Sequence, residues 1–444
     1  MTPSARLAAA IEALRAISSN PGPPADRVLG AYFRDRRYIG SKDRHAISDR
    51  VYGVLRRRAR LDWHLKAAGF TDPPDARRRA LADVLVSDGV KLEAVLELFS
   101  DSRHGTGELS GRERDVAARL EGRALDAPDA PAECPDWLAD RLRLLYGERF
   151  WKEMAALNRT APFDLRVNTL KAESREAAIE ALKADGVVAE PTLLSPLGLR
   201  LGGRKPIENW IAFREGKVEV QDEGSQIVAA LVDAKPGMKV ADYCSGAGGK
   251  TLALAASMRN EGRIVAADTS EGRLERARVR LRRAGVHNVE TRPLVAGDKW
   301  WKRQGGTFDR VLVDAPCSGS GTWRRNPDAR WRYGPDDIDG LVVEQAQILD
   351  RAARLVAPKG RLIYATCALL KEENEDQVEA FLSRNPGFVQ KPVAELWDET
   401  VGGPCPTEEP SLRLSPAQHG TDGFFVAILE RVPGTEPAPD QDVA

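Results

Sequence analysis

The second half of this 444-residue chain repeats one texture: short apolar runs, each ending in a polar residue, separated by helical stretches. Val240-Ala241-Asp242-Tyr243 leads into Cys244-Ser245-Gly246-Ala247-Gly248-Gly249-Lys250-Thr251 and a helical stretch over 252–258. Ile264-Val265-Ala266-Ala267-Asp268 comes next, with a helix over 272–284. Arg310-Val311-Leu312-Val313-Asp314, a helix over 344–356 and Arg361-Leu362-Ile363-Tyr364-Ala365 complete the series. Strands alternating with helices predict a parallel, doubly wound α/β sheet, Rossmann-like, whose ligand crevice lies at the carboxyl ends of the strands. The chemistry of such a chain belongs at residues 244–251, at 268, at 314 and just past 365.

The first half reads differently. Residues 1–125 are helical, with Ile47, Val51, Val54, Leu55, Leu61 and Leu65 at three- and four-residue steps and Arg56, Arg57, Arg58 and Arg60 beside them. That pattern predicts an all-α domain with a basic edge, its arginines on a solvated face or on RNA. A Pro/Asp/Ala-rich stretch marks a linker over 126–134. A small α+β subdomain is expected over 135–215, the doubly wound domain over 216–432, and a disordered polar tail over 433–444.

Overall charge conceals an asymmetry. Lys+Arg and Asp+Glu both number 66, which by itself argues against a nucleic-acid binder. Counted by segment, residues 1–369 hold 61 basic and 51 acidic side chains, and residues 370–444 hold 5 and 15. The basic excess therefore covers every segment in which a phosphate-bearing partner is expected. No run approaches the roughly 18 apolar residues of a membrane span. Five dispersed cysteines show neither metal-ligand pairing nor disulfide clustering. A cytoplasmic, reduced protein with no metal and no membrane partner is expected.

The loop after the first core strand is Gly-rich and opens a helix, whose N-terminal amides and dipole favour a carboxylate or phosphate. Its glycines fit neither the dinucleotide fingerprint nor the P-loop. Asp268, at the end of the next strand, is placed to accept the hydroxyls of a ribose. A nucleoside anchored there, with a helix N-terminus left for a carboxylate, matches S-adenosylmethionine better than a nicotinamide dinucleotide. Methyl transfer is the implied class. The next two strand ends carry Asp314-Ala315-Pro316-Cys317-Ser318-Gly319 and Ala365-Thr366-Cys367. Two thiols and a carboxylate suit alkylation of pyrimidine carbon 5. Thiolate addition to carbon 6 makes carbon 5 nucleophilic, a carboxylic acid assists at nitrogen 3, and a base removes the carbon 5 proton. The residue types do not say which thiol attacks.

From residue 135 to 430 the chain resembles the RsmB/Sun family of RNA cytosine-5 methyltransferases. The resemblance is carried by Leu165-Arg166-Val167-Asn168-Thr169-Leu170-Lys171, Val220-Gln221-Asp222-Glu223-Gly224-Ser225-Gln226, and Asp314-Ala315-Pro316-Cys317-Ser318-Gly319. Arg324-Arg325-Asn326-Pro327-Asp328, Tyr364-Ala365-Thr366-Cys367 with Glu373-Asn374-Glu375, and Asp422-Gly423-Phe424-Phe425 continue it in order. It implies that Cys367 is the nucleophile, that Cys317 assists release of the product, and that Asp314 serves nitrogen 3. It also implies cofactor contacts from Cys244, Ser245, Gly246, Ala247, Gly248, Gly249 and Lys250, from Asp268, with Arg273 as a neighbour, from Asp314, and from a third acidic residue, for which Asp298 is the candidate. One departure stands out. The family loop usually reads Cys-Ala-Ala-Pro-Gly-Gly-Lys, and this chain has Ala247 where the proline would be.

The N-terminal helices more loosely resemble a NusB-like RNA-binding domain, through Val51-Tyr52-Gly53-Val54-Leu55-Arg56 and Leu61-Asp62-Trp63. The implied partner is RNA, ribosomal RNA above all and 16S in particular. Trp323 or Trp331 is a candidate to stack on an unstacked base. A monomer is expected. Two alternatives stay open: the same chemistry on transfer RNA, and a non-catalytic RNA-binding ribosome assembly factor on the same fold.

Overall fold

A computed structural model describes residues 1–20, 22–203, 205–295 and 297–434; beyond Gly434 the tail lies outside the described residues. The chain divides into two compact units, one formed by Met1–Arg159 with Trp323–Gly334, the other by the rest.

The first unit is all α. Helices Pro3–Ser18, Ala25–Asp35, Ser41–Arg56, Arg58–Ala67, Ala76–Ala82, Leu92–Leu98 and Gly111–Leu120 enclose one apolar core. The periodic residues Ile47, Val51, Val54, Leu55, Leu61 and Leu65 all lie in it. Local chemistry sets the helix starts: Thr2 accepts from the Ala5 amide, Asp75 from the Arg78 amide, and Ser110 with Glu113 forms a reciprocal capping box. The expected basic edge is engaged within the unit. Arg57 pairs with the buried Asp83 at 2.7 Å, Arg60 with Asp126, and Arg56 donates to the carbonyls of Arg159 and Arg324 at 2.9 Å.

Helices Asp136–Tyr146 and Phe150–Leu157 belong to this unit, as does the segment Trp323–Gly334, though the sequence boundaries allotted both elsewhere. Residues 126–134, read as a linker, end in two buried side chains. Glu133 accepts from the Ala59 and Arg60 amides, capping helix Arg58–Ala67, and Cys134 is buried beside it. Arg330 is 1% exposed and donates to Glu133 O at 2.8 Å, Asn158 Oδ1 at 3.1 Å and Leu157 O at 3.4 Å. Trp323 is also 1% exposed, with the Arg330 guanidinium 5.0 Å from its ring, and Arg58 lies 4.8 Å from the Trp331 ring. Stacking on a base is thus closed to Trp323 as it stands.

Among the described residues the second unit holds two sheets. Strands β1 (Phe163–Val167), β2 (Glu190–Pro191), β3 (Gly198–Leu201) and β4 (Val218–Val220) form a small antiparallel sheet in the order β2-β3-β1-β4, with helix Arg175–Ala184 against it. The large sheet contains β5 (Lys239–Asp242), β6 (Arg263–Asp268), β7 (Val289–Pro293), β8 (Phe308–Asp314), β9 (Val356–Thr366), β10 (Phe388–Lys391), β11 (Leu412–Leu414) and β12 (Phe424–Arg431). Its order is β10-β12-β9-β8-β5-β6-β7, with β11 on β12. Strands β5 to β9 are parallel, as the alternation predicts, and β12 enters antiparallel to β9.

This is the doubly wound, Rossmann-like α/β fold of the sequence reading. Residues such as Val240, Ile264, Val265, Val311, Leu312, Leu362 and Ile363 are fully buried because the parallel strands have chain on both faces. From β5 the chain winds outward through β6 and β7, then returns to β8 on the other side of β5 and on to β9. The strand order reverses there, opening the crevice beyond Asp242, Asp268, Asp314 and Thr366.

Candidate active site

The loop after β5 turns sharply because two of its glycines take left-handed backbone, Gly246 at φ 55° and Gly248 at φ 78°. A side chain at Gly246 would meet nothing within 4 Å, whereas one at Gly248 would lie 3.0 Å from the Ala277 Cβ. The first glycine therefore borders open space and the second permits close packing. Helix Gly249–Ser257 starts directly from this turn, and its N-cap residue, Gly248, has no side chain with which to cap it. Asp268, at the end of β6, accepts from the Gly246 amide at 2.9 Å through Oδ2 and from the Ser270 amide at 2.8 Å through Oδ1. Each oxygen keeps acceptor capacity for a further donor. Arg273 Nη1 stands 3.7 Å from Oδ2 on an exposed side chain.

Two buried polar atoms at this end of the sheet, Asp242 Oδ1 and Ser245 Oγ, find no hydrogen-bond partner among the described residues. Buried polar groups are rarely left so, and a ligand rich in donors would satisfy them. Burial pushes the Asp242 carboxyl up to about 7, against the 2.6 Å hydrogen bond that Thr251 Oγ1 donates to its other oxygen. An open glycine, an uncapped helix N-terminus, a carboxylate at the next strand end and two orphaned acceptors fit a nucleoside bearing an amino-acid moiety. Asp298 lies just beyond the end of β7. It caps the short helix Lys299–Arg303, accepting from the Trp300 amide at 2.9 Å, and pairs with Arg292 at 2.9 Å. The backbone hydrogen bond first, and Arg292 second, lower its pKa.

The neighbouring strand ends carry the thiols and the carboxylate. Asp314 closes β8 in register with Ala365 of β9, and Cys367 follows β9 directly. Cys317 Sγ lies 3.4 Å from Cys367 Sγ, both thiols partly buried. The hydrogen bond between them, and then burial, push the Cys317 thiol well above the usual range. Lys250, in the first turn of helix Gly249–Ser257, donates from Nζ to Asp314 Oδ2 at 2.6 Å. Burial opposes the Lys250 charge, but the Asp314 carboxylate outweighs it and holds the ammonium above its ordinary pKa.

Both thiol loops are fixed by neighbours that the sequence reading did not assign. Glu373 accepts from Ser318 N at 2.8 Å, Ser318 Oγ at 2.6 Å and Gln345 Nε2 at 3.1 Å, while Gln345 also donates to Pro316 O at 3.0 Å. The Gly321 amide donates to Cys367 O at 2.8 Å, and the Leu369 amide to Ser320 Oγ at 2.7 Å. Glu373 lies inside a motif that carried the family resemblance, a signal present without a stated role. Gln345, within helix Pro335–Ala353, had none. Among the described residues no group of three or more metal-ligating side chains occurs, and no helix is long and apolar enough to cross a membrane.

Comparison with known proteins gives concordant matches. The family described as 16S rRNA methyltransferase RsmB/F matches residues 229–430, and the RsmF/B-like ferredoxin-like domain matches residues 134–208. The chain is 32% identical over 423 residues to the probable ribosomal RNA small subunit methyltransferase B of Synechocystis sp., covering 88% of this chain and 92% of that one. The crystal structure of the protein called PH0851 superposes with a TM-score of 0.74 at 28% identity, covering 97% of this chain and 99% of that one. A methyltransferase homolog protein from Pyrococcus horikoshii superposes with a TM-score of 0.57 at 31% identity, over 67% of this chain and 95% of that one.

Proposed function

Because the chain belongs to the RsmB/F family of ribosomal RNA methyltransferases, we propose that it methylates carbon 5 of a cytosine in 16S ribosomal RNA, the base held covalently on Cys367 during the reaction. The observation that carries this reading is the 3.4 Å contact of Cys317 and Cys367, with Asp314 at the adjoining strand end. Two thiolates at that separation repel, so the pair carries one charge at a time. Either sulfur can donate in that contact, and the reaction calls for Cys367 as the thiolate with Cys317 as its donor.

The Cys367 thiolate forms a bond to ring carbon 6, and the electron pair of the carbon 5–carbon 6 double bond moves onto carbon 5. Asp314, protonated from solvent, presents a proton at nitrogen 3, and Lys250 Nζ, 2.6 Å from Oδ2, orients its carboxyl. Loop 244–250 and Asp268 would hold S-adenosylmethionine, which would supply an electrophilic methyl group to carbon 5 and leave as S-adenosylhomocysteine. With Cys367 now a thioether, the charge that opposed ionisation of Cys317 is gone. Cys317 gives its thiol proton to solvent, the thiolate so formed takes the carbon 5 proton, the C–H pair restores the double bond, the Cys367–carbon 6 bond breaks, and nitrogen 3 returns its proton. Bisulfite sequencing of ribosomal and transfer RNA from cells with and without the protein tests the reading. A protein-dependent unconverted cytosine in 16S ribosomal RNA is expected; one confined to transfer RNA, or none, would overturn it.

A further inference from the structure

Ala247 occupies the loop position at which the family pattern has proline, between two glycines with left-handed backbone. Proline would fix one dihedral there and narrow the unliganded ensemble; alanine does not. The structure supplies a restraint of another kind. Arg280, on helix Glu271–Ala284, donates from Nη1 to Ala247 O at 2.9 Å. Its guanidinium is oriented by Glu219 of β4, 1% exposed, whose Oε2 lies 3.2 Å from Nη2 and 3.4 Å from Nε. Across the β1–β4 pair, Arg166 is the register partner of Glu219, and it donates to Gly249 O at 3.0 Å and to Gln221 Oε1. The carbonyls on either side of Gly248 are thus each gripped by a guanidinium tied to the small sheet.

We propose that Arg280, oriented by Glu219, is a positioning residue for the cofactor loop, holding the turn at Ala247 by a hydrogen bond to its carbonyl. The assignment rests on the reading of loop 244–250 as the seat of S-adenosylmethionine. Arg280→Met removes the donor at nearly constant volume and leaves Glu219 paired with Arg283. Titration calorimetry of S-adenosylhomocysteine into the full-length protein should show a loss of affinity of about 3- to 10-fold for Arg280→Met. Adding Ala247→Pro to that variant should restore most of the loss, and Arg280→Lys should fall between. Amide exchange in cofactor-free protein gives a second readout. The Gly246 and Gly248 amides, bonded to Asp268 and to Ser245 O, should exchange faster in Arg280→Met and slow again with Ala247→Pro.

Parental affinity in Arg280→Met, or unchanged exchange at those amides, would overturn the assignment. Weakened binding that proline leaves unrestored, with loop exchange unchanged by it, would overturn the bracing role in favour of a charge effect. Asp268→Asn tests the seat itself: parental affinity in that variant would count against the location of the cofactor, whatever Arg280 does.

Discussion

Lys250 Nζ stands 2.6 Å from Asp314 Oδ2, so the first turn of the helix that opens from the Gly-rich loop and the carboxylate at the end of β8 share one ion pair. The loop read as the cofactor's seat and the group read as the partner of the base are thereby joined. Asp314→Asn keeps an acceptor for Lys250 but removes the proton carrier. Single-turnover methylation at saturating S-adenosylmethionine should slow by about 100-fold or more. Lys250→Met leaves Asp314 without its partner and should cost about 1–3 kcal/mol in urea unfolding as well. Equal rates for Asp314→Asn and the parent would remove Asp314 from the reaction.

The two thiols make opposite predictions. Cys367→Ala should abolish both methylation and any RNA adduct that survives denaturing electrophoresis. Cys317→Ala should bond to the base and fail to let go, accumulating that adduct. An adduct formed by Cys367→Ala, or normal turnover by Cys317→Ala, would reverse or void the assignment.

Glu373 touches neither proposed reacting thiol sulfur in the hydrogen-bond network, yet it holds Ser318 and, through Gln345, Pro316. Glu373→Ala strips two donors of Ser318, in the segment that carries Cys317, and one of Gln345 of their acceptor. We expect kcat to fall about 10-fold or more, with KM for S-adenosylmethionine little changed. Glu373→Gln retains an acceptor and should recover part of the rate. A loss confined to KM for the cofactor would count against positioning of the thiol loop.

Asp242 gives a prediction in pH. Burial raises its carboxyl from 3.8 to about 7 in the folded protein, so the native state keeps a proton that the unfolded chain releases. Its contribution to stability is present in full below the unfolded value and is lost as pH rises through the folded one, at about 1.4 kcal/mol for each unit. Asp242→Asn keeps an acceptor for Thr251 and cannot ionise. Guanidinium unfolding from pH 4 to pH 8 should show the parent losing stability relative to the variant up to about pH 7, with the difference flat above it. Parallel curves across the range would show that Asp242 does not titrate there.

The sheet was legible in the sequence because strands buried on both faces must be apolar throughout and because polar residues mark where they end. Asp268, Asp314, Cys317 and Cys367 fall at strand ends for that reason, and the structure gathers the last three at the neighbouring ends of β8 and β9. The connections that hold the loops were not legible. Glu373 reaches 55 residues back to Ser318, Arg280 reaches 33 residues back to Ala247, and Arg330 reaches 197 residues back to Glu133. Periodicity reports which face of a helix or strand is dry; it says nothing about a partner so far along the chain. Residues 126–134 show the same limit, since a composition typical of linkers gives no sign that Glu133 and Cys134 are buried.

The assignment of Trp323–Gly334 to the helical unit has a practical corollary for cutting this chain. A fragment beginning at Thr160 would retain that segment but lose the helices of the unit to which it belongs. Trp323, Ala329 and Arg330, now buried, would be laid open, and the guanidinium of Arg330 would lose the acceptors at Glu133, Leu157 and Asn158. The exposed stretch begins a few residues past Cys317. The large sheet of this protein is therefore a poor candidate for study in isolation, because the strip of chain that follows Cys317 folds as part of the first unit.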